Sequence, residues 1–316
     1  MTFGLHKGDL ETFNSGIKPL LLMSRPARLS VALECASVLS SLIGLQESAV
    51  FYLKAQSGAA KTLAASLGAA FHGRATKNDL KTPAMTPAAF NQFLAGNRHA
   101  LMVLDEIKAA GSDASKAFQE LEERAFLIAG GSGKTIADRD NPNGPITYQI
   151  ESFVIATGEV AVDQIGAHKG LKLNDGGKRR LIQIDGKDRD EGGICDIRGN
   201  PPWTPAAQAI ARRKASKTIT KNFGVSLPVF VEWLLTHNEE DLNRIFESEF
   251  DPFMAHFASD DSWNEEMTSK FAYPCAAGVM GCRAGVIPIS EKGIRASMRK
   301  LCADVLARAN ARIVDG

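Results

Sequence analysis

Between Ser48 and Phe71 the chain passes from an apolar run, Ser48-Ala-Val-Phe-Tyr-Leu-Lys54, through a turn of small residues, Ala55-Gln-Ser-Gly-Ala-Ala-Lys-Thr62, into a segment rich in helix formers with apolar residues at helical spacing. A buried strand, a glycine-bearing loop and a helix in that order aim loop amides and a helix N-terminus at one point, where a phosphate can be held. Such a loop needs a Lys to reach the β- and γ-phosphates and a Ser or Thr to hold Mg²⁺. Lys61 and Thr62 supply them, and Gln56, Ser57, Gly58, Ala59 and Ala60 form the expected cradle.

A second stretch, Ile128-Ala-Gly-Gly-Ser-Gly-Lys-Thr135, has better motif letters but the wrong neighbours. It follows Phe118 to Leu127, which reads as a helix, and runs into Asp140-Asn-Pro-Asn-Gly144, whose turn residues cannot continue one. The first stretch is therefore the expected phosphate loop, although Ala55 and Ala60 stand where glycines are usual.

Further strands are expected at His99 to Glu106, Glu151 to Glu159 and Arg180 to Asp185, each ending in polar residues, with a helix from Pro87 capped by Thr86. Strand-loop-helix units with functional residues at strand ends predict an α/β fold, a parallel sheet covered by helices on both faces. Gly186 to Pro205, rich in Gly, Asp and Pro, reads as a boundary before a mostly helical C-terminal region. The expected division is an N-terminal extension over 1–25, a nucleotide-binding core over 26–190, and a linker with a helical domain over 191–316.

Composition excludes little. With 316 residues, 44% of them hydrophobic, and a net charge of +1, the chain suits a globular protein with a large core, and the charge neither supports nor excludes DNA. Five scattered cysteines without a CxxC pair argue for reduced thiols in the cytoplasm and against zinc. The apolar stretch Leu29 to Leu45 carries Glu34 and is too short for a bilayer span, so no membrane partner is expected.

For hydrolysis of a nucleoside triphosphate, the pieces come in the required order. Lys61 would bind the β/γ-phosphates, Thr62 and Asp105 would hold Mg²⁺, and Glu106 would polarise water. Thr157, at the next strand tip, is placed to orient that water or to cap the strand. Of Arg179 and Arg180, Arg180 is the preferred arginine to stabilise transition-state charge, acting across a subunit boundary. Arg212, Arg213 and Lys214, with Lys217 and Lys221, form a basic cluster that could meet DNA or a neighbouring subunit, whereas acidic residues between Glu239 and Asp251 do not suit a phosphate backbone.

These residues resemble the helicase-like proteins of mobile elements known as domain of unknown function 927, which are similar to AAA+ ATPases close to minichromosome-maintenance helicases. The resemblance rests on FYLKAQSGAAKT, LMVLDE, IATGE, the Gly-rich turn before RRLIQID, and FAYPCAAGVMGCRAGVIP. It implies a P-loop NTPase of AAA+ type, using ATP and Mg²⁺, in a homo-oligomeric, hexameric ring that moves along single-stranded or forked DNA with a separate loader or primase. Minichromosome-maintenance proteins have Ala-Lys-Ser in this loop, so Ala60 matches a permitted variant, while Ala55 departs from both patterns. The resemblance also implies a DNA-gripping hairpin at Ile128 to Ile150, with Lys134 on a DNA phosphate. Two rivals stand beside this expectation. One is a degenerate AAA+ scaffold that binds nucleotide weakly; the other is a small-molecule kinase, disfavoured because adjacent Asp-Glu suits water activation.

Overall fold

The computed structural model describes residues 6–43, 48–73, 80, 86–105, 114–131, 151–165 and 175–314. Helices α1 (Leu10–Met23) and α2 (Arg25–Leu39) precede strand β1 (Val50–Lys54) and helix α3 (Lys61–Ala69). Then come α4 (Pro87–Ala95), β2 (Met102–Leu104), α5 (Ala114–Ala129), β3 (Val154–Gly158), α6 (Val162–Ile165), α7 (Asp175–Arg180) and β4 (Leu181–Asp185). Five helices follow: α8 (Pro205–Ile219), α9 (Ser226–Leu235), α10 (Glu239–His256), α11 (Ser262–Arg283) and α12 (Glu291–Val314).

The four strands form one parallel sheet in the order β2-β3-β1-β4. Strand side chains alternate between two apolar layers because successive residues point to opposite faces. Phe51, Leu53, Phe153, Ile155, Ile182 and Ile184 enter the larger core, with α2, α3 and α11. Val50, Tyr52, Met102, Leu104, Val154 and Ala156 enter the smaller one, against α4 and α5. Both faces are thus covered, as a continuous apolar parallel strand demands. This is the α/β P-loop architecture expected from the strand-loop-helix pattern.

Helix α2 is buried almost all round, and its one acid is fully paired. Glu34 accepts hydrogen bonds from the Leu101 amide at 2.8 Å and lies 2.7 Å from His72 Nδ1. That carboxylate ties α2 to the entry of β2 and to the 3-10 turn after α3, as a buried charge requires. The larger core also takes in Phe13 and Ile17 of α1 and Phe271 and Met298 of α11 and α12, so helices from both ends of the chain share one interior.

The segment read as a boundary has a definite place. Gly186 donates to Lys54 O at 2.7 Å, Ile194 to Ala59 O at 3.1 Å and Ile197 to Met23 O at 3.0 Å. Residues 186–198 are therefore a strap lying along the β1–α3 loop, and Asp196 holds it to the start of α2 through Arg25 at 3.0 Å.

Candidate nucleotide site

The site is built at the C-terminal edge of the sheet, where the strand order brings three loops together. β3 lies between β1 and β2, with Lys54 level with Gly158 and Leu104 level with Ala156. Asp105, one residue past β2, thereby meets both neighbours. Its Oδ1 accepts from Thr62 Oγ1 at 2.8 Å and from Thr157 Oγ1 at 2.7 Å. One carboxylate oxygen joins the first turn of α3, the end of β2 and the tip of β3. Thr157 is 1% exposed, so its hydroxyl belongs to an interior network and not only to a strand cap.

In the loop, Lys61 folds back on its own backbone. Its Nζ donates to Ala55 O at 2.7 Å and Gln56 O at 3.0 Å, and lies 4.0 Å from Glu159 Oε1. Glu159 is 59% exposed on its side chain, so that last contact is worth little as an ion pair. Gln56, Ser57 and Gly58 are exposed at the mouth, and Ala59 is buried under the strap.

The two alanines in glycine positions behave differently. Ala55 continues β1 by one ladder bond, donating to Gly158 O at 3.1 Å, and its backbone is not left-handed. No glycine is needed there. Ala60 caps α3 at φ 67° and ψ 29°, the left-handed region where a Cβ carries a steric cost. The glycine-type strain of this loop therefore sits at Ala60, whereas the sequence left Ala55 as the unexcused position.

The better-lettered stretch begins as the end of a helix. Ile128 and Ala129 close α5, Gly130 donates to Phe126 O at 2.9 Å, and Gly131 takes φ 66°. A helix C-terminus presents carbonyls and the negative end of the dipole, the wrong sign for a phosphate. The rest of that stretch, with Lys134, lies outside the described residues, as does Glu106.

Arg180 does not join the other site residues within the chain. It precedes Leu181, which is level with Val50 and, through β3, with Met102, so it stands toward the opposite end of the strands, about 13 Å before Asp105 along the strand direction at roughly 3.3 Å per residue, and three strand spacings across the sheet from it. Its guanidinium lies over the Phe126 ring at 4.6 Å and donates to Gly176 O at 3.0 Å. Arg179 pairs with Glu266 at 2.6 Å. Any part for Arg180 in hydrolysis requires a neighbouring subunit, as the sequence reading supposed.

Residues 5–143 match the family model described as domain of unknown function (DUF927). The match covers less than half of the chain. It includes the 55–62 loop and Asp105, while Thr157 and the strap lie beyond it. Among solved structures, the one titled "SCCmec type IV Cch - active helicase" superposes with a TM-score of 0.68 at 18% identity, over 96% of this chain and 52% of that one. The chain thus spans about half the length of that helicase, and the likeness establishes the α/β P-loop fold. A crystal structure of JCV helicase matches at 11% identity over 70% of each chain, with a TM-score of 0.30, too low to carry an argument. No curated protein matches the sequence.

The sequence reading missed two features beside the phosphate loop. Glu159 is legible as the acid directly after Thr157-Gly158, yet its approach to Lys61 depends on the β1–β3 pairing. The strap shows only as a Gly-Gly pair. A Cβ built on Gly193 would lie 2.7 Å from Ala59 O, so the close approach to the loop needs that glycine. Elsewhere all five cysteines are free thiols, and burial pushes Cys275, Cys282 and Cys302 up to about 12. Among the described residues no cluster of three His, Cys, Asp or Glu could hold a metal, and no helix is long and apolar enough to cross a membrane.

Proposed function

We propose that the chain is the ATP-dependent motor of a DNA helicase, similar to minichromosome-maintenance helicases and serving a mobile genetic element. The observation that carries this reading is the bridge from Thr62 and Thr157 to one oxygen of Asp105 beside Lys61. A hydroxyl and a carboxylate 2.8 Å apart are hard oxygen donors of the kind Mg²⁺ prefers. The loop mouth and the α3 N-terminus suit an anion. The residues present therefore fit MgATP.

Thr62 and Asp105 would hold the metal, which supplies charge neutralisation at the β/γ-phosphates when bound. Lys61 would exchange its two loop carbonyls for phosphate oxygens, a charge-assisted replacement. Thr157, held by Asp105, would orient water, and Glu106, next in sequence, would accept its proton. Arg180 would serve the neighbouring subunit's site in a ring, since its own site lies at the far sheet edge. Lys134 would contact a DNA phosphate.

The degenerate-scaffold reading drew on Ala55 and Ala60. The first takes a conformation open to any residue and the second reaches the left-handed one despite its Cβ, so neither denies the loop its shape. ATPase rates of the wild type and Glu106→Gln, with and without single-stranded DNA, test the proposal. The expected result is DNA-stimulated turnover that falls at least about a hundredfold in the variant. Absence of turnover in the wild type under both conditions would favour the scaffold.

A further inference from the structure

Helix α8, which follows the strap, has two faces of opposite character. Ala211, Ala215 and Ile219 are buried, and Thr218 packs against Gly16 of α1. At 3.6 residues per turn, Ala206, Ile210, Arg213, Lys214, Lys217 and Lys221 fall within one sector of about 100° on the other side. All six are exposed, Ile210 at 64%.

That outer face holds one sign of charge. From Ile197 to Val231 the sequence has no Asp or Glu. Other helices balance their exposed charges in place: Arg244 pairs with Asp241 on α10, and Arg295 with Glu291 and Lys300 with Asp304 on α12. Among the described residues, Arg213, Lys214, Lys217 and Lys221 have no ion-pair partner. Lys217 stands four residues from Arg213 and Lys221 and three from Lys214, spacings at which like charges repel across a helix surface. The whole chain carries a net charge of +1, so this repulsion is concentrated on one face. Such a face is complementary to a polyanion.

The residue types favour nucleic acid over a second protein surface. Lysine is depleted at protein–protein interfaces, whereas surfaces that meet nucleic acid are strongly positive. Cations one helical turn apart suit a phosphodiester backbone, whose charges repeat along a line. Ile210 adds an apolar contact of the kind a thymine methyl accepts. The same helix reaches the phosphate loop through the strap. Arg212, beside the outer face, donates to Gly192 O at 3.2 Å, and Ile194 donates to Ala59 O at 3.1 Å. We propose that the outer face of α8 is a second DNA-backbone site, its cations holding phosphates where bound DNA bears on the loop that carries Lys61. The inference rests on the DNA-helicase reading above, which assigns DNA contact to Lys134 alone.

Fluorescence anisotropy of a labelled oligo-dT strand with the full chain, over a series of salt concentrations, tests the site. Each cation on a phosphate of a single strand contributes about 0.7 to the slope of log affinity against log salt. Lys214→Gln and Lys217→Gln should each reduce the slope by about 0.7 and weaken binding about three- to tenfold at low salt. Lys217→Glu should weaken it further, and Lys217→Arg should keep affinity within about twofold and the slope unchanged. The midpoint of chemical denaturation should not fall in the Gln variants, because each removes a like-charge repulsion. A lowered midpoint would make the face structural and overturn the site. Wild-type binding whose affinity and salt slope none of the variants changes also overturns it, and leaves the helicase reading and Lys134 standing. Loss of self-association in Lys217→Glu, read by sedimentation velocity, assigns the face to a neighbouring copy and overturns it as well. If the wild type does not bind the strand at low salt, the DNA reading fails and takes the α8 site with it.

Discussion

The loops at Ala55–Thr62 and Ile128–Thr135 share the letters of a phosphate-binding motif, and their described parts lie at opposite ends of a helix. The first enters the N-terminus of α3 from the buried strand β1; the second begins as the C-terminus of α5. Amides and a positive dipole end face outward in one case, carbonyls and a negative end in the other. Motif letters carry no direction, and direction decides the sign of the charge a loop can hold. The glycine-poor loop has the favourable field, and the glycine-rich one starts in an unfavourable field.

The largest expected effect breaks this comparison most directly if it fails. Lys61→Ala should weaken MgATP binding about a hundredfold, since it removes charge-assisted bonds to phosphate. Lys134→Ala should leave MgATP binding within twofold and lower affinity for single-stranded DNA instead. Titration of both variants with both ligands is the measurement. A reversed pattern would make the 128–135 stretch the nucleotide loop and end the argument from helix polarity.

A second substitution asks whether the favourable loop needs its strap. Gly193 sits at φ 60° with its missing Cβ 2.7 Å from Ala59 O. Gly193→Ala must therefore push the strap off the loop or strain both, at a cost of about 2 kcal/mol or more. Chemical denaturation should register that loss, and MgATP affinity should fall with it. Unchanged stability would mean that the strap rests on the loop without shaping it.

Those long-range contacts mark where the sequence stopped being readable. The strand, the turn and the α3 helix around Lys61 were legible because period and helix propensity are local. So was the Thr86 cap of α4, which accepts from the Ala89 amide at 3.3 Å. The insertion of β3 between β1 and β2 was not, because buried parallel strands look alike in sequence and nothing local fixes their neighbours. Asp105 and Thr157 were thus visible as strand-end residues, but their meeting with Thr62 on one oxygen was not. Gly, Asp and Pro between 186 and 205 are common to free linkers and docked straps, and long-range contacts such as Ile197 to Met23 O and the fit of Gly193 on Ala59 distinguish them here. Arg180 was legible as a cation before a strand, while its position at the far edge follows from the β1–β4 register.

The smallest expected effect sharpens the account of the phosphate loop itself, because it treats its two alanines as opposites. Ala60 holds φ 67°, where a Cβ is strained; Ala55 extends β1 with its side chain 4% exposed against Gly186. Ala60→Gly removes the left-handed strain and adds freedom to the unfolded chain. The first effect outweighs the second, for a net gain of about 0.5 kcal/mol. Ala55→Gly has no strain to relieve, loses a buried methyl and gains the same unfolded-state freedom, so it should cost about 1 kcal/mol. Equilibrium unfolding of the two variants should therefore move the midpoint in opposite directions. Movement in the same direction would show that the loop treats the two positions alike, and the assignment of its glycine-type conformation to Ala60 would have to be withdrawn.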